Sequence, residues 1–191
     1  MNVALRKPMT LEEFLAWEER QELRFEFDGF QPVAMTGGTD VHEAIGGTLR
    51  ALLQERLRGK PCRVRGPTLK IDVMGRMRYP DAFVYCTPVP PGETVIKQPV
   101  VVFEVLSPGT SRIDRIERLR EYQATDSIRR YVILEQDSIA ATVYSRHGAD
   151  WDARALIARD VLRMPEIDVE IPLSDIYADT AWGEDVGQSE A

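Results

Sequence analysis

Tyr79-Pro80-Asp81-Ala82-Phe83-Val84-Tyr85-Cys86 and Val100-Val101-Val102-Phe103-Glu104-Val105-Leu106 are the stretches on which the fold turns. Both are rich in β-branched and aromatic side chains and read as core strands. Asp81 opens the first and Glu104 closes the second, where a carboxylate loses hydration worth several kcal/mol unless a cation or dense hydrogen bonding replaces it. A divalent metal is the natural candidate for what the two acids bind.

Working outward, the 191 residues, 43% of them hydrophobic, suffice to bury one core, so residues 1–180 are expected to form a single domain. Residues 181–191 are acidic and poor in apolar anchors and are expected to form a disordered tail. No segment approaches the roughly 20 apolar residues of a membrane span, and Met1 to Thr10 lacks the apolar stretch of a secretory signal, which makes a cytoplasmic location the default expectation. Cys62 and Cys86 are read as reduced, buried thiols rather than a disulfide. With two cysteines and two histidines, His42 and His147, zinc is not expected.

The net charge of −7 is unevenly spread. Eight acids and no Lys or Arg follow Arg163, which leaves 24 basic against 23 acidic residues in the body of the chain. Basic clusters at Arg50, Arg56, Arg58, Lys60, Arg63 and Arg65, and at Arg112, Arg115, Arg118 and Arg120, can therefore meet an anion or simply form solvated helix faces.

The order of elements is mixed α and β. Thr10-Leu11-Glu12-Glu13 is a capping box that predicts a helix to about Glu22. Asp28-Gly29 joins two short strands, 24–28 and 32–35. Val41, Ile45, Leu49, Leu52, Leu53 and Leu57 form one apolar stripe on a helix over 40–58, ended by Gly59-Lys60-Pro61. Strands are expected at 62–65, 68–73, 79–86 and 100–106, with 87–94 a surface loop. Asp72 reads as a turn acid before Met74-Gly75. Ser111-Arg112-Ile113-Asp114 reads as the cap of a second helix to about Ala124, with Ile116, Leu119 and Tyr122 or Gln123 inward. Strands at 130–135, 140–145 and 153–158 complete the sheet, and 169–171 adds a possible edge.

Taken together, Tyr79-Pro80-Asp81, Glu104-Val105-Leu106-Ser107-Pro108-Gly109-Thr110-Ser111, Asp114, Arg118-Leu119 and Tyr122 resemble the Uma2 family. These are restriction-endonuclease-like proteins of the PD-(D/E)xK superfamily. Glu26-Phe27-Asp28-Gly29 is similar to the family's N-terminal hairpin, 35–42 to its loop before the long helix, and Arg130-Tyr131-Val132-Ile133-Leu134 to its late strand.

The resemblance implies an α+β fold of mixed α/β order, a restriction-endonuclease-like core with a central mixed sheet flanked by helices, plus an N-terminal helix and hairpin. It also implies hydrolysis of DNA with magnesium or manganese held by Asp81, Glu104 and the Val105 carbonyl, in a protein that acts as a homodimer. The helix starting near Ser111 would turn its free amides toward phosphate. Leu106 stands where the superfamily signature has lysine, and the family's lysine, taken from the following helix, is matched here by Arg118. Arginine can stabilise phosphate charge but hardly accepts a proton, whereas an i,i+4 pair with Asp114 is its structural alternative. Glu26 either adds a carboxylate to the site or, by the alternation of Leu23, Phe25 and Phe27, faces solvent. His42 either contacts substrate and assists proton transfer or caps and packs its helix. If catalysis has been lost, the same residues describe a nucleic-acid-binding or regulatory module.

Overall fold

A computed structural model describes residues 8–35, 37–106 and 112–183, without the side chains of 112–114. The strands form sheets of six, five and two, and one helix packs between the two larger sheets. The six-stranded sheet runs in the order β11 (Asp150–Ile157), β10 (Ala140–His147), β9 (Arg130–Leu134), β8 (Pro99–Val105), β6 (Ala82–Tyr85), β3 (Arg63–Arg65). Its β8–β9 pair is parallel and its other pairs are antiparallel. The parallel pair is bridged by α3 (Arg112–Ala124), the crossover that parallel neighbours require. The five-stranded sheet runs β2 (Pro32–Ala34), β1 (Phe25–Phe27), β5 (Arg76–Arg78), β4 (Lys70–Val73), β7 (Val95–Ile96).

Strand alternation sets three apolar layers. On one face of the large sheet Ala82, Val84, Val101, Phe103 and Val105 pack against Ile45, Leu49 and Leu53 of α2 (Asp40–Arg56). The intervening residues, Phe83, Tyr85, Val102 and Leu106, turn to the opposite face and pack with Tyr122 of α3 and with Ile71 and Val73 of β4. The far face of the small sheet carries Phe27 and Met77 against Phe14 of α1 (Leu11–Glu18). Each fully buried Leu or Phe in these layers contributes about 1.5–3 kcal/mol.

Several expectations need correcting. The α1 helix ends at Glu18, not near Glu22, because the Gln21 side-chain amide and the Arg20 guanidinium donate to the Trp17 and Ala16 carbonyls and close its last turn. Strand β5 was not anticipated. The Met74-Gly75 pair, with φ of 56° and 79°, makes a two-residue turn of the primed type that folds 76–78 back on β4, and Asp72 Oδ1 accepts the Gly75 N–H at 2.9 Å as a turn acid should. This hairpin separates a second sheet from the expected single one. Residues Val169–Pro172 do not edge the main sheet but pair as β13 with β12 (Val161–Met164). Cys62 and Cys86 are joined in a disulfide, since β3 and β6 pair antiparallel with Arg63 opposite Tyr85 and the next step brings the two cysteines opposite each other. Spacing along the chain carries no trace of that register.

Thr10 and Glu13 form the expected capping box. The turn after β1 is held by Asp28 Oδ1, which accepts the N–H groups of Phe30 and Gln31 at 2.7 Å. The expected cap at Ser111 and the Asp114–Arg118 pair lie outside the described residues, as do residues 184–191 of the acidic tail. Trp182 Nε1 donates to the Gln136 carbonyl at 3.0 Å. Among the described residues no helix is long and apolar enough to cross a membrane.

Candidate functional site

The β6–β8 register pairs Ala82 with Phe103, and one step further Asp81 and Glu104 come opposite each other. Opposite residues on an antiparallel pair share a face, with Cβ atoms about 5 Å apart. The two carboxylates separated by 22 residues in the chain are thus neighbours at one end of β6, on the side facing α3.

Asp81 is held from three sides. Its Oδ2 accepts the Val105 N–H at 2.7 Å and lies 3.3 Å from His42 Nε2, while its backbone carbonyl accepts from Arg50 Nη1 at 3.2 Å. Because Leu106 donates toward β9, through its N–H to the Leu134 carbonyl, strand alternation aims both the N–H and the carbonyl of Val105 at the β6 side. His42 sits in the first turn of α2, whose N-cap is Thr39. The capping role thus belongs to Thr39, and the His42 ring turns to Asp81. The hydrogen bond to Asp81 raises the His42 pKa against the lowering effect of burial, and Glu104 and Glu43 raise it further.

Among the described residues Glu104 receives two hydrogen bonds, both on Oε1, from Arg118 Nη1 at 3.0 Å and from the Tyr122 hydroxyl at 2.8 Å. Burial pushes its pKa up to about 7; the charges of Asp81 and Glu26 push the same way, and Arg118 and the Tyr122 hydroxyl oppose them. Arg118 Nη2 donates to Glu26 Oε2 at 2.8 Å. Burial works against the Arg118 charge, but Glu104 and Glu26 more than offset it and hold the guanidinium protonated. Glu26 is buried, not solvated: Phe25 and Phe27 turn to the α1 side and send it toward α3, where Arg78 and the Tyr79 N–H also bind it. Of the two readings of Glu26, the inward one matches its position.

All six residues singled out in the sequence therefore meet at this corner: Asp81, Glu104, the Val105 backbone, Arg118, Glu26 and His42. Four contacts had not been anticipated. Tyr122 was read only as an inward-facing residue, although an aromatic hydroxyl one turn after Arg118 lies on the same helix face. Arg50 was read only as one member of a basic cluster, and Arg78 and Gln136 gave no signal. Gln136 donates to the Leu106 carbonyl at 2.5 Å and accepts from Thr39 Oγ1 at 2.7 Å, tying the end of β8 to the start of α2. Leu106, at the signature lysine position, is buried in the α3-facing core.

The donor set fits a hard divalent cation. Two carboxylates and a backbone carbonyl are the oxygen ligands that magnesium or manganese takes while keeping several waters. Asp81 Oδ1 and Glu104 Oε2 have no hydrogen-bond partner among the described residues. Among those residues no group of three or more His, Cys, Asp and Glu side chains is placed to hold a metal.

Comparison with known proteins agrees with this architecture. Residues 11–171 match the model of the Uma2 family, described as "Putative restriction endonuclease". An uncharacterized protein of Synechocystis sp. (strain PCC 6803) is 32% identical over 175 residues, covering 90% of this chain and 92% of the relative. A crystal structure from Anabaena variabilis, described as "a putative nuclease belonging to DUF820", superposes with a TM-score of 0.75 at 16% identity, covering 90% of this chain and 98% of that one, and so shares the fold. The chain belongs to the Uma2 family and has its restriction-endonuclease-like fold.

Proposed function

We propose that the protein is a divalent-metal-dependent deoxyribonuclease in which Asp81, Glu104 and the Val105 carbonyl hold magnesium or manganese. One observation carries the reading: two acids opposite each other on adjacent core strands each keep an oxygen without a hydrogen-bond partner among the described residues, although burial disfavours the charge of Glu104. Bound there, the cation would polarise the scissile phosphate and lower the pKa of a coordinated water.

The chain's own residues divide the remaining tasks. The Val105 N–H and His42 orient Asp81, and Tyr122 orients Glu104. Arg118, fixed between Glu104 and Glu26, supplies a guanidinium to phosphate charge that grows in the transition state, and cannot serve as the base. Glu26 acts by holding Arg118. His42, beside Asp81 and with a raised proton affinity, takes or returns a proton at Nε2. Cutting both strands of a duplex calls for two such sites, and a homodimer would supply them.

The experiment is cleavage of plasmid DNA by the purified protein with magnesium or manganese. Activity that needs the metal and vanishes in Asp81→Ala supports the proposal; no metal-dependent cleavage by the wild type sinks it. A second reading, a DNA-binding module without turnover, is favoured by the buried Leu106 at the lysine position and by Arg118 having both ends engaged with carboxylates. Salt-dependent DNA binding with no cleavage would select it.

A further inference from the structure

A chain of alternating charges continues past Arg118 into the protein. Glu104, Arg118, Glu26, Arg78, Glu121 and Arg76 follow one another, each within 3.4 Å of the next. Arg78 is its centre. It is 6% exposed, among the lowest for any cation of the described residues, and it donates Nε and Nη2 to the two oxygens of Glu121 at 2.8 and 2.7 Å while Nη1 reaches Glu26 Oε2 at 3.1 Å. Strand alternation produces this placement: Met77 turns to the α1 core and sends Arg76 and Arg78 to the α3 side, beside Glu26 of β1.

We propose that Arg78 is the positioning residue of the site, clamped by its fork on Glu121 so that its remaining amino group fixes Glu26, which in turn sets the Arg118 guanidinium against Glu104. Its role in the reaction rests on the nuclease reading, but its effect on Arg118 does not. Glu26 Oε2 is shared by Arg78 and Arg118, so its position depends on both guanidiniums. A planar fork bound at three points holds a direction that an ammonium on a flexible stem does not. The clamp also explains how arginine can stand at the site without collapsing onto Asp81: its second amino group is anchored to the opposite sheet.

The test is Arg78→Lys, which keeps the charge and removes the fork. Nitrogen-15 NMR of arginine side chains reports Arg118 directly, without DNA or metal. The expected result is a set of resolved, slowly exchanging Arg118 Nη–H signals in the wild type that broaden or disappear in Arg78→Lys, while the thermal midpoint shows that the variant is folded. In the cleavage assay kcat should fall about ten- to a hundredfold with KM within about twofold, the pattern of misplacement in place of lost binding. Arg78 and Glu26 substitutions should also be strongly non-additive, since they act through one contact. Should Arg78→Lys not fold, Glu121→Gln breaks the fork from its other side and must loosen the same Arg118 signal. An Arg118 signal unchanged in the folded variant overturns the proposal whether or not the protein cleaves DNA, and a changed signal in a protein that never cleaves supports the clamp while defeating the nuclease reading.

Discussion

A lone buried acid and a cluster of buried and half-buried acids stand on opposite sides of the small sheet, and they are built differently. On the α1 side, Glu18 is bound through Oε2 by Lys70 and through Oε1 by the Tyr79 hydroxyl at 2.6 Å. Each oxygen has its own donor, charge balances one to one, and the group is closed. On the α3 side, Asp81, Glu104 and Glu26 converge with Arg118, and both carboxylates of the β6–β8 pair have donors crowded on one oxygen. A buried acid is therefore no mark of a site. What separates the two groups is coordination left over among the described residues, together with Asp81 and Glu26 placed close enough to raise the proton affinity of Glu104.

The contrast is sharpest in activity. Glu104→Gln should lower metal-dependent cleavage by about a thousandfold or more, the scale of losing a group that acts on the transition state, whereas Glu18→Gln should leave kcat within a few fold. Equal losses of activity in the two variants, measured per folded molecule, would erase the distinction.

Stability should order the groups the other way. Lys70→Met strands the buried Glu18 carboxylate and should cost about 3–5 kcal/mol in urea unfolding, since removing one partner of a buried pair leaves the other uncompensated. Glu104→Gln removes a charge that the fold resists and should cost little or stabilise the metal-free protein near pH 8. A large loss from Glu104→Gln at that pH would mean that its carboxylate is structural.

The same asymmetry appears in pH dependence. Because the folded-state pKa of Glu104 lies near 7, above the unfolded value of 4.5, its contribution to stability is complete below pH 4.5 and is lost as pH rises through 7. The difference is on the order of 3 kcal/mol. Metal-free wild type should therefore lose stability relative to Glu104→Gln between pH 4.5 and 7, and parallel profiles of the two proteins would contradict the burial argument.

The smallest effect expected is from the ion itself. Magnesium or manganese at about ten to a hundred times its Kd should stabilise the wild type by roughly 1.4–2.7 kcal/mol, raising its thermal midpoint by a few degrees at pH 8. Asp81→Asn should abolish this increment and Lys70→Met should preserve it. An increment that survives Asp81→Asn would place the ion elsewhere.

Much of this was readable along the chain because it depends on neighbours in sequence. The α2 stripe, the capping box at Thr10, the Asp28-Gly29 turn and the apolar strands around Asp81 and Glu104 are local patterns, and the structure reproduces them with shifts of a few residues at their ends. The candidate acids were legible for the same reason, since a carboxylate in an apolar strand is conspicuous wherever the strand goes. Arg78 was not, because nothing in Arg76-Met77-Arg78 says that two cations will be buried against Glu121 and Glu26, and the short β5 is too polar to be seen as a strand.

By itself the sequence determined which segments are helix and strand, which faces are apolar, and which two acids stand where burial opposes them, because backbone propensity and side-chain periodicity act over a few residues. Only the tertiary structure decided that Asp81 lies opposite Glu104, that Cys62 meets Cys86, that α3 lies between the two larger sheets, and that Arg118 is held from both. Those are matters of strand register and of packing between distant segments, which no local preference encodes.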